Sequence, residues 1–543
     1  MLLTFVVAAD SDSATLYVDP VASESVGGGS LVAGRSSTLE QAMAQLAPGD
    51  ELVLRPGTYR EVLDFRNSAL MGMGDPLRRT MVRAEIPGTV MFKGSDIVNG
   101  WQLVAAGLFV KRPWTVNSQQ VFVDGLPLRQ IGGRNFANPS QWPGRVSGGL
   151  KDLVENSFFW DEPESALYIK VAMASLSERT VEVSVRPYLL IATSLKGLIV
   201  DGISFAHSNT TAIARHGCVT LNGQRLSVRG VNVFSCDGIG ILLHGNDNEI
   251  QGSKSNYCGQ LGMHIHGMRV RVARNETSYN NTRGFDQWWE AGGVKFTGDN
   301  GLEDSQVIGH KAFGNNGDGL WFDWGNHGVV VDGVVSAYNA GFGIHYEASR
   351  SAAIVNNFIF ANALRGIYLP HSSDSLVANN LVVGNGMDGV VVVDEGRRDS
   401  SGILDLRPNG NAVVGNIIGW NRRTALILPK EILSNKSNYN LFLGDSEVGI
   451  AFSMGWASAT SPNKWGLAAW RGVSDQDTRS TERVMPMPKA IASAISQRQT
   501  QIDWAEILER GEVIAPDWQS LDPGPLHFRD WIGAHHGPSR PAQ

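Results

Sequence analysis

"NNGDGLWFDWGNHG", residues 315–328, sets a short alternating segment, Leu320-Trp321-Phe322-Asp323, between glycine-rich turns. The next unit, "NAGFGIHYEASRS" at 339–351, repeats the design: an asparagine, a glycine four residues on, then Ile344-His345-Tyr346-Glu347. Working outward, a glycine heads a strand-length segment at Gly240, Gly262, Gly293, Gly319, Gly343, Gly366 and Gly389, in steps of 22, 31, 26, 24, 23 and 23. Four residues before most of them stands an asparagine (Asn315, Asn339, Asn362, Asn385), and Asn421 stands so before Ala425. Asn357, Asn380 and Asn416 form a second set nine residues ahead, and Asn275 and Asn280 hold the same two places before Gly284. Cys236 and Cys258 occupy the four-before place in two earlier units, where packing is their expected role.

A repeat near 23 residues with strand-length segments and asparagine columns excludes a helical solenoid and predicts a parallel β-coil of about three short strands per turn. Turns stack about 4.8 Å apart, so like residues stand above like and buried amides hydrogen-bond along the stack. At the start, "STLEQAMAQLAPGDELVLRPGTYRE" (37–61) reads as a short amphipathic helix, a Pro-Gly-Asp turn and a strand. It resembles the entry into right-handed parallel β-helix enzymes of the pectate-lyase-like superfamily, in which a helix covers the open first turn.

Between 98 and 186 the repeat is lost, and "QQVFVDGLPLRQ", "SFFWDEPESALYIKV" and "RTVEVSVRP" read as two-sided strands joined by turn residues. The expected class is therefore all-β: a right-handed parallel β-helix with an inserted antiparallel β-sandwich. Its parts are a capping helix and first turns (1–97), the insert (98–186), the main coil (187–455) and an irregular C-terminal cap (456–543) carrying Trp456, Trp465, Trp470, Trp504, Trp518 and Trp531.

Composition narrows the partners. A net charge of −7 over 543 residues offers no basic footprint for nucleic acid. No apolar run approaches the length of a membrane span. Three cysteines (Cys218, Cys236, Cys258) without metal-type spacing imply neither a disulfide framework nor a metal site. "LLTFVVAA" (2–9) reads equally as a trimmed secretory signal or as a first strand; the expected location is secreted or periplasmic, with a cytoplasmic one left open.

In a strand alternate side chains share a face. Leu320/Phe322, Ile344/Tyr346 and Ile367/Leu369 then point into the coil. The opposite face becomes an exposed wall of two columns, His264–Lys295–Trp321–His345–Tyr368 and His266–Thr297–Asp323–Glu347–Pro370. Asp323 and Glu347 are neighbours on it, and adjacent carboxylates repel; a merely solvated face has no need of them. Around them stand Trp324 and the unusual "DQWWEAGGVK" (286–295), which brings Trp288, Trp289, Glu290 and Lys295. Aromatics beside acids suit sugars, whose rings stack on apolar faces and whose hydroxyls take polar partners. Trp288, Trp289, Trp321 and Tyr368 are candidate stacking platforms. Glu290 and Asp318 are candidates for sugar hydroxyls, although Asp318, in a Gly-Asp-Gly turn, also reads as a turn former. His264, His266 and His345 are spread over several turns, with no close-set ligand motif. No metal and no cofactor is expected, and the partner is an oligosaccharide or polysaccharide.

In "GLWFDW", in the glutamate one turn later and in the insert, the chain resembles the β-helical β-xylosidase family of glycoside hydrolases, over about residues 37–455. That resemblance implies Asp323 as nucleophile and Glu347 as acid/base of a retaining β-glycosidase; Lys295, Trp324, His345 and His264, by their place on or beside the wall, are further candidates to line the sugar. The "ASRS" after Glu347 departs from the family's Asn/His-bearing loop, which leaves the sugar open. Two other classes fit the residues. A polysaccharide lyase or uronate C5-epimerase would use Lys295 to take a proton; it also needs arginine or Ca²⁺ for the substrate carboxylate, and the outward columns hold no arginine. A non-catalytic glycan-binding coil would keep the aromatics and tolerate loss of either acid.

Overall fold

The computed structural model describes residues 13–20, 38–66, 70, 78–132, 147–210, 216–298, 301–400, 402, 404–446, 449–455 and 464–498. The expectations for residues 2–9 and for Trp456, Trp504, Trp518 and Trp531 lie outside them. Three long sheets, each 13-stranded, run the length of the coil, with parallel pairing between successive turns. One turn is three strands: Leu261–Met268 in the sheet that carries the acids, Arg271–Ala273 in the second and Glu276–Ser278 in the third. The inward side chains merge into one apolar core, in which Leu320, Phe322, Ile344, Tyr346, Ile367 and Leu369 are fully buried. Phe296 stacks on Phe322 with ring centroids 4.4 Å apart.

The ladders are as expected and explain the repeat. Asn315 donates to Asn339 at 2.8 Å, Asn339 to Asn362 at 2.9 Å, Asn362 to Asn385 at 3.1 Å and Asn385 to Asn421 at 2.9 Å. A second ladder joins Asn357, Asn380, Asn416 and Asn440, and a third, not anticipated, joins Asn411 to Asn435. Each amide also takes backbone groups of other turns: Asn339 Nδ2 donates to the Ala312 carbonyl, and Asn339 Oδ1 accepts the Asn315 N–H. The glycine column follows from this. A Cβ on Gly319 would sit 2.1 Å from Ser336 Oγ and 2.8 Å from Asn339 Nδ2, so the amide column leaves room for no side chain there. Asn280 joins the first ladder through Asn315, but Gly293 rather than Gly284 takes the glycine place, because residues 284–291 form an extra loop.

The helix Leu39–Gln45 is capped by the Thr38 hydroxyl and buries Leu39, Ala42 and Met43 over the open first turn. At the other end Leu467 and Trp470 of the helix Leu467–Ser474 close the core, and the strand Thr481–Val484 extends the third sheet. The described residues of 95–184 form two small sheets that share an apolar cluster of their own, including Val121, Phe158, Trp160, Leu167 and Val183. Two details differ from the expected insert. The strand Ser95–Ile97 already belongs to it, and Arg129–Gln130 pairs in parallel with Ser157 and Phe158.

Asn339→Ala should remove two ladder bonds and leave the buried Asn315 N–H unpaired. A loss of about 3 kcal/mol is expected in urea unfolding. Gln306→Ala, at an exposed strand position of the same coil, should stay within about 0.5 kcal/mol.

Candidate active site

Register brings the site together. Along the acid-bearing sheet His264 pairs with Lys295, Lys295 with Trp321, Trp321 with His345 and His345 with Tyr368. One column over, Asp323 pairs with Glu347, which places the acids on adjacent strands about 4.8 Å apart at the backbone. The wall is not exposed, however. Lys295 is 3% and His345 4% accessible, because loops on both sides rise over them. From one side the extra loop brings Trp288 edge-on to Phe342 at 5.7 Å and hangs the Glu290 carbonyl on Gln260 Nε2 at 2.7 Å. From the other, residues 394–398 bring Glu395 and Arg397.

The result is a cleft of about 470 Å³ lined by Trp288, Trp289, Glu290, Lys295, Trp321, Asp323, His345, Glu347 and Tyr368, together with Phe342, Arg365, Glu395 and Arg397. Asp323 and Glu347 keep 20% and 16% of their side-chain surface in it. A larger cavity, about 660 Å³, lies against the segment of two small sheets, between Phe122 and Gln130 on one side and Tyr257 and Arg283 on the other. It lacks paired acids, so chemistry rather than size selects the smaller cleft. The segment does not roof the acids: it docks through Arg283, which donates to the Gln119 carbonyl at 2.9 Å, and no described residue of 98–186 lines the cleft.

The acids have different partners. Lys295 Nζ lies 3.0 Å from Asp323 Oδ2, donates to the Trp289 carbonyl and sits 3.5 Å from the centre of the Trp321 ring. Glu347 Oε2 accepts from Trp321 Nε1 at 3.1 Å and lies 3.5 Å from His345 Nε2, while Oε1 is held by Arg397. Trp324 meets the site through Arg397, whose guanidinium lies 4.9 Å over its ring. Tyr368 donates to Glu395; burial, reinforced by that carboxylate, raises the phenol well above its ordinary pKa.

Besides Trp324, two expected site residues lie outside the cleft lining. Asp318 is buried with both oxygens used: Oδ1 accepts the Phe342 N–H at 2.7 Å and Oδ2 lies 2.9 Å from His345 Nδ1. It orients the histidine and has no part in the cleft lining. A Cβ on Gly341 would come 2.0 Å from Asp318 Oδ1, which is why that turn carries glycine. His264 is also buried outside the cleft, with Nδ1 2.7 Å from His244 Nε2. Burial, with His266 adding, brings the His244 pKa down to about 4. Among the described residues no group of three or more His, Cys, Asp or Glu is placed to hold a metal ion.

Phe342, Arg365, Glu395 and Arg397 were not read from the sequence. The first two had a periodic signal, since Asp318, Phe342, Arg365 and Asp388 each directly precede a column glycine. The other two lie in "DEGRRD" (394–399), where the repeat stretches to 36 residues between Gly389 and Ala425.

The sequence matches the right handed beta helix region over residues 217–418 and again over 292–460. The fold is a right-handed parallel β-helix. No curated protein matches the chain. Among solved structures, XylC in complex with xylose superposes at a TM-score of 0.57, with 15% identity over 83% of each chain. The A-module of the Azotobacter vinelandii mannuronan C-5 epimerase AlgE4 reaches 0.43 at 12% identity, over 80% of this chain and 91% of its own. The PL6 family alginate lyase AlyGC also reaches 0.43 at 12% identity, over 86% of this chain and 57% of its own. At such identities the likeness concerns the fold alone.

Lys295→Ala should leave Asp323 without its buried counter-charge at a cost of about 3 kcal/mol in urea unfolding. Arg397→Ala, which removes a half-exposed partner of Glu347, should cost under about 1 kcal/mol.

Proposed function

We propose that the chain is a carbohydrate-active enzyme, and specifically a glycoside hydrolase that cleaves β-linked glycosides with retention of configuration. The observation that carries this reading is the in-register pair Asp323–Glu347 at the floor of an aromatic-lined cleft, each acid with a different partner. Retaining enzymes hold their carboxyl groups about 5–5.5 Å apart, whereas inverting ones need about 6.5–9.5 Å to admit a water. In-register neighbours on one sheet suit the first range.

Asp323, beside the Lys295 ammonium, would attack the anomeric carbon and form the glycosyl ester. Glu347 would give a proton to the departing oxygen and then take one from the incoming water. Trp288, which is 57% exposed, offers a ring face to the sugar, and Glu290 a carboxylate to its hydroxyls.

A second reading gains support from Arg365 and Arg397, which supply the cationic groups that the outward columns lacked. An eliminase or C5-epimerase of uronates would bind its substrate carboxylate there and use Lys295 as base. Against it, Lys295 faces the Asp323 carboxylate and the Trp289 carbonyl as a donor, and as the ammonium of that ion pair it has no lone pair with which to take a proton from a substrate C–H.

Asp323→Asn should abolish turnover of every aryl β-glycoside, because the covalent intermediate cannot form. Glu347→Ala should lower kcat/KM about 10²–10⁴-fold on poor leaving groups and spare activated aryl glycosides in the first step. Azide should then return a β-glycosyl azide. An α-glycosyl azide or an inverted product by NMR would remove Asp323 as nucleophile. Ultraviolet absorbance of an unsaturated uronate, formed from an acidic polysaccharide and lost in Lys295→Ala, would establish the eliminase instead.

A further inference from the structure

His345 does more in this arrangement than line a sugar site. Its ring is clamped between Trp321, at 5.1 Å and 11°, and Tyr368, at 5.0 Å and 28°, with the edge of Phe342 at 4.9 Å. It therefore cannot turn toward solvent. Both nitrogens face carboxylates: Nδ1 lies 2.9 Å from Asp318 Oδ2 and Nε2 lies 3.5 Å from Glu347 Oε2, without a hydrogen bond of its own. The Phe342 N–H holds Asp318 Oδ1 as an acceptor, so Oδ2 accepts the proton of Nδ1. The neutral ring then aims a lone pair at a second acceptor, Glu347. In a buried site that contact repels unless one proton lies between the two atoms.

We infer that Asp318 fixes the tautomer of His345 so that His345 and Glu347 share a single proton, which makes His345 a positioning residue for the acid/base. The inference rests on the reading of Glu347 as acid/base. In the first step the glycosidic C–O bond breaks as Asp323 bonds to the anomeric carbon. The departing oxygen takes the proton of the pair, leaving neutral His345 beside the Glu347 carboxylate. In the second step water bonds to that carbon, its proton returns to the pair, and the bond to Asp323 breaks. Atoms and charge balance with no other reactant.

The charged and titratable groups facing the pair are few. Asp318 and Glu347 touch the ring directly, Asp323 stands in register beside Glu347, and Lys295, the counter-charge of Asp323, stands beyond Trp321. Arg365 lies 4.7 Å over Tyr368, the Tyr368 hydroxyl goes to Glu395, and Arg397 holds the far oxygen of Glu347. Trp321 Nε1, donating to the same Oε2 at 3.1 Å, keeps that oxygen in line with the histidine.

The test is ¹⁵N-histidine NMR on the full chain across pH, with His345 assigned by His345→Gln. A shared proton predicts an Nδ1–H tautomer at neutral pH and a titration of Nε2 that Glu347→Gln moves by more than about one pH unit. Asp318→Asn should change the tautomer. Turnover of an activated aryl β-glycoside forms a second arm. His345→Gln and Asp318→Asn should each lower kcat about 10²-fold with KM near wild type, shift the basic limb of the kcat profile, and not add when combined. An Nε2–H tautomer, or a titration indifferent to Glu347→Gln, overturns the shared proton even in an active glycosidase. Absence of hydrolysis with the coupled titration intact overturns the glycosidase reading and leaves the shared proton standing.

Discussion

The buried amide ladder holds each turn of the coil in register with the next, and every functional contact depends on that register. A β-strand has a side-chain period of two, so a slip of one residue would send Trp321, Asp323, His345 and Glu347 into the core and bring Leu320, Phe322, Ile344 and Tyr346 out. Hydrophobic packing opposes that slip, but it opposes a slip of two residues, which keeps the faces, only weakly where successive turns carry interchangeable aliphatic residues. The amides oppose it with specific bonds, since each reaches backbone groups of neighbouring turns as well as the next amide. Moving one turn leaves several buried polar groups unpaired at about 1–3 kcal/mol each. The glycine column is the steric counterpart: Gly319 makes room for the ladder, and the four-residue offset between asparagine and glycine fixes where each strand begins.

Stacking like positions has a cost that the site must manage. A column of identical charges would repel along the whole coil. The wall avoids this by alternation, with the Lys295 ammonium over the Trp321 ring, then the His345 imidazole, then the Tyr368 phenol. Asp323 and Glu347 break the pattern as adjacent like charges. Their cations approach from different directions, Lys295 from the preceding turn and Arg397 from a loop beyond the following one. Each acid thus has its own counter-charge, and the pair becomes chemically unequal although the sheet treats its positions alike.

Much of this was legible because it is periodic. The asparagine and glycine columns and the inward and outward alternation follow from residues recurring at a fixed step, whereas the helix over the first turn was implied by what residues 37–61 resemble. What stayed hidden lies where the step breaks. The loop 284–291 and the run 394–399 are insertions, so periodicity says where they leave the coil but not how they fold back, and the wall read as exposed when it is covered. Asp318 was misread for a different reason. A Gly-Asp-Gly turn is locally a good turn former, and only the neighbouring turn, with the Phe342 N–H and His345 Nδ1, shows that its carboxylate is buried and committed. The contact between 98–186 and Arg283 joins distant stretches with no pattern in common.

The two faces of Glu347 then differ in what they can give up. Oε2 is bound by Trp321 and faces His345, both buried and clamped by stacking, and neither can leave without dismantling the column. Oε1 is bound by Arg397, a half-exposed side chain on a loop outside the repeat. On the glycosidase reading the departing oxygen must reach the proton that Oε2 shares with His345, and only the Arg397 side can yield room for the group it carries. The rigid coil therefore fixes the proton-bearing oxygen and the tautomer that faces it, and the variable loop decides what is accommodated beside them. A coil of this kind can keep its acids and change its substrate by changing the insertions between turns, which is where the sequence is least periodic.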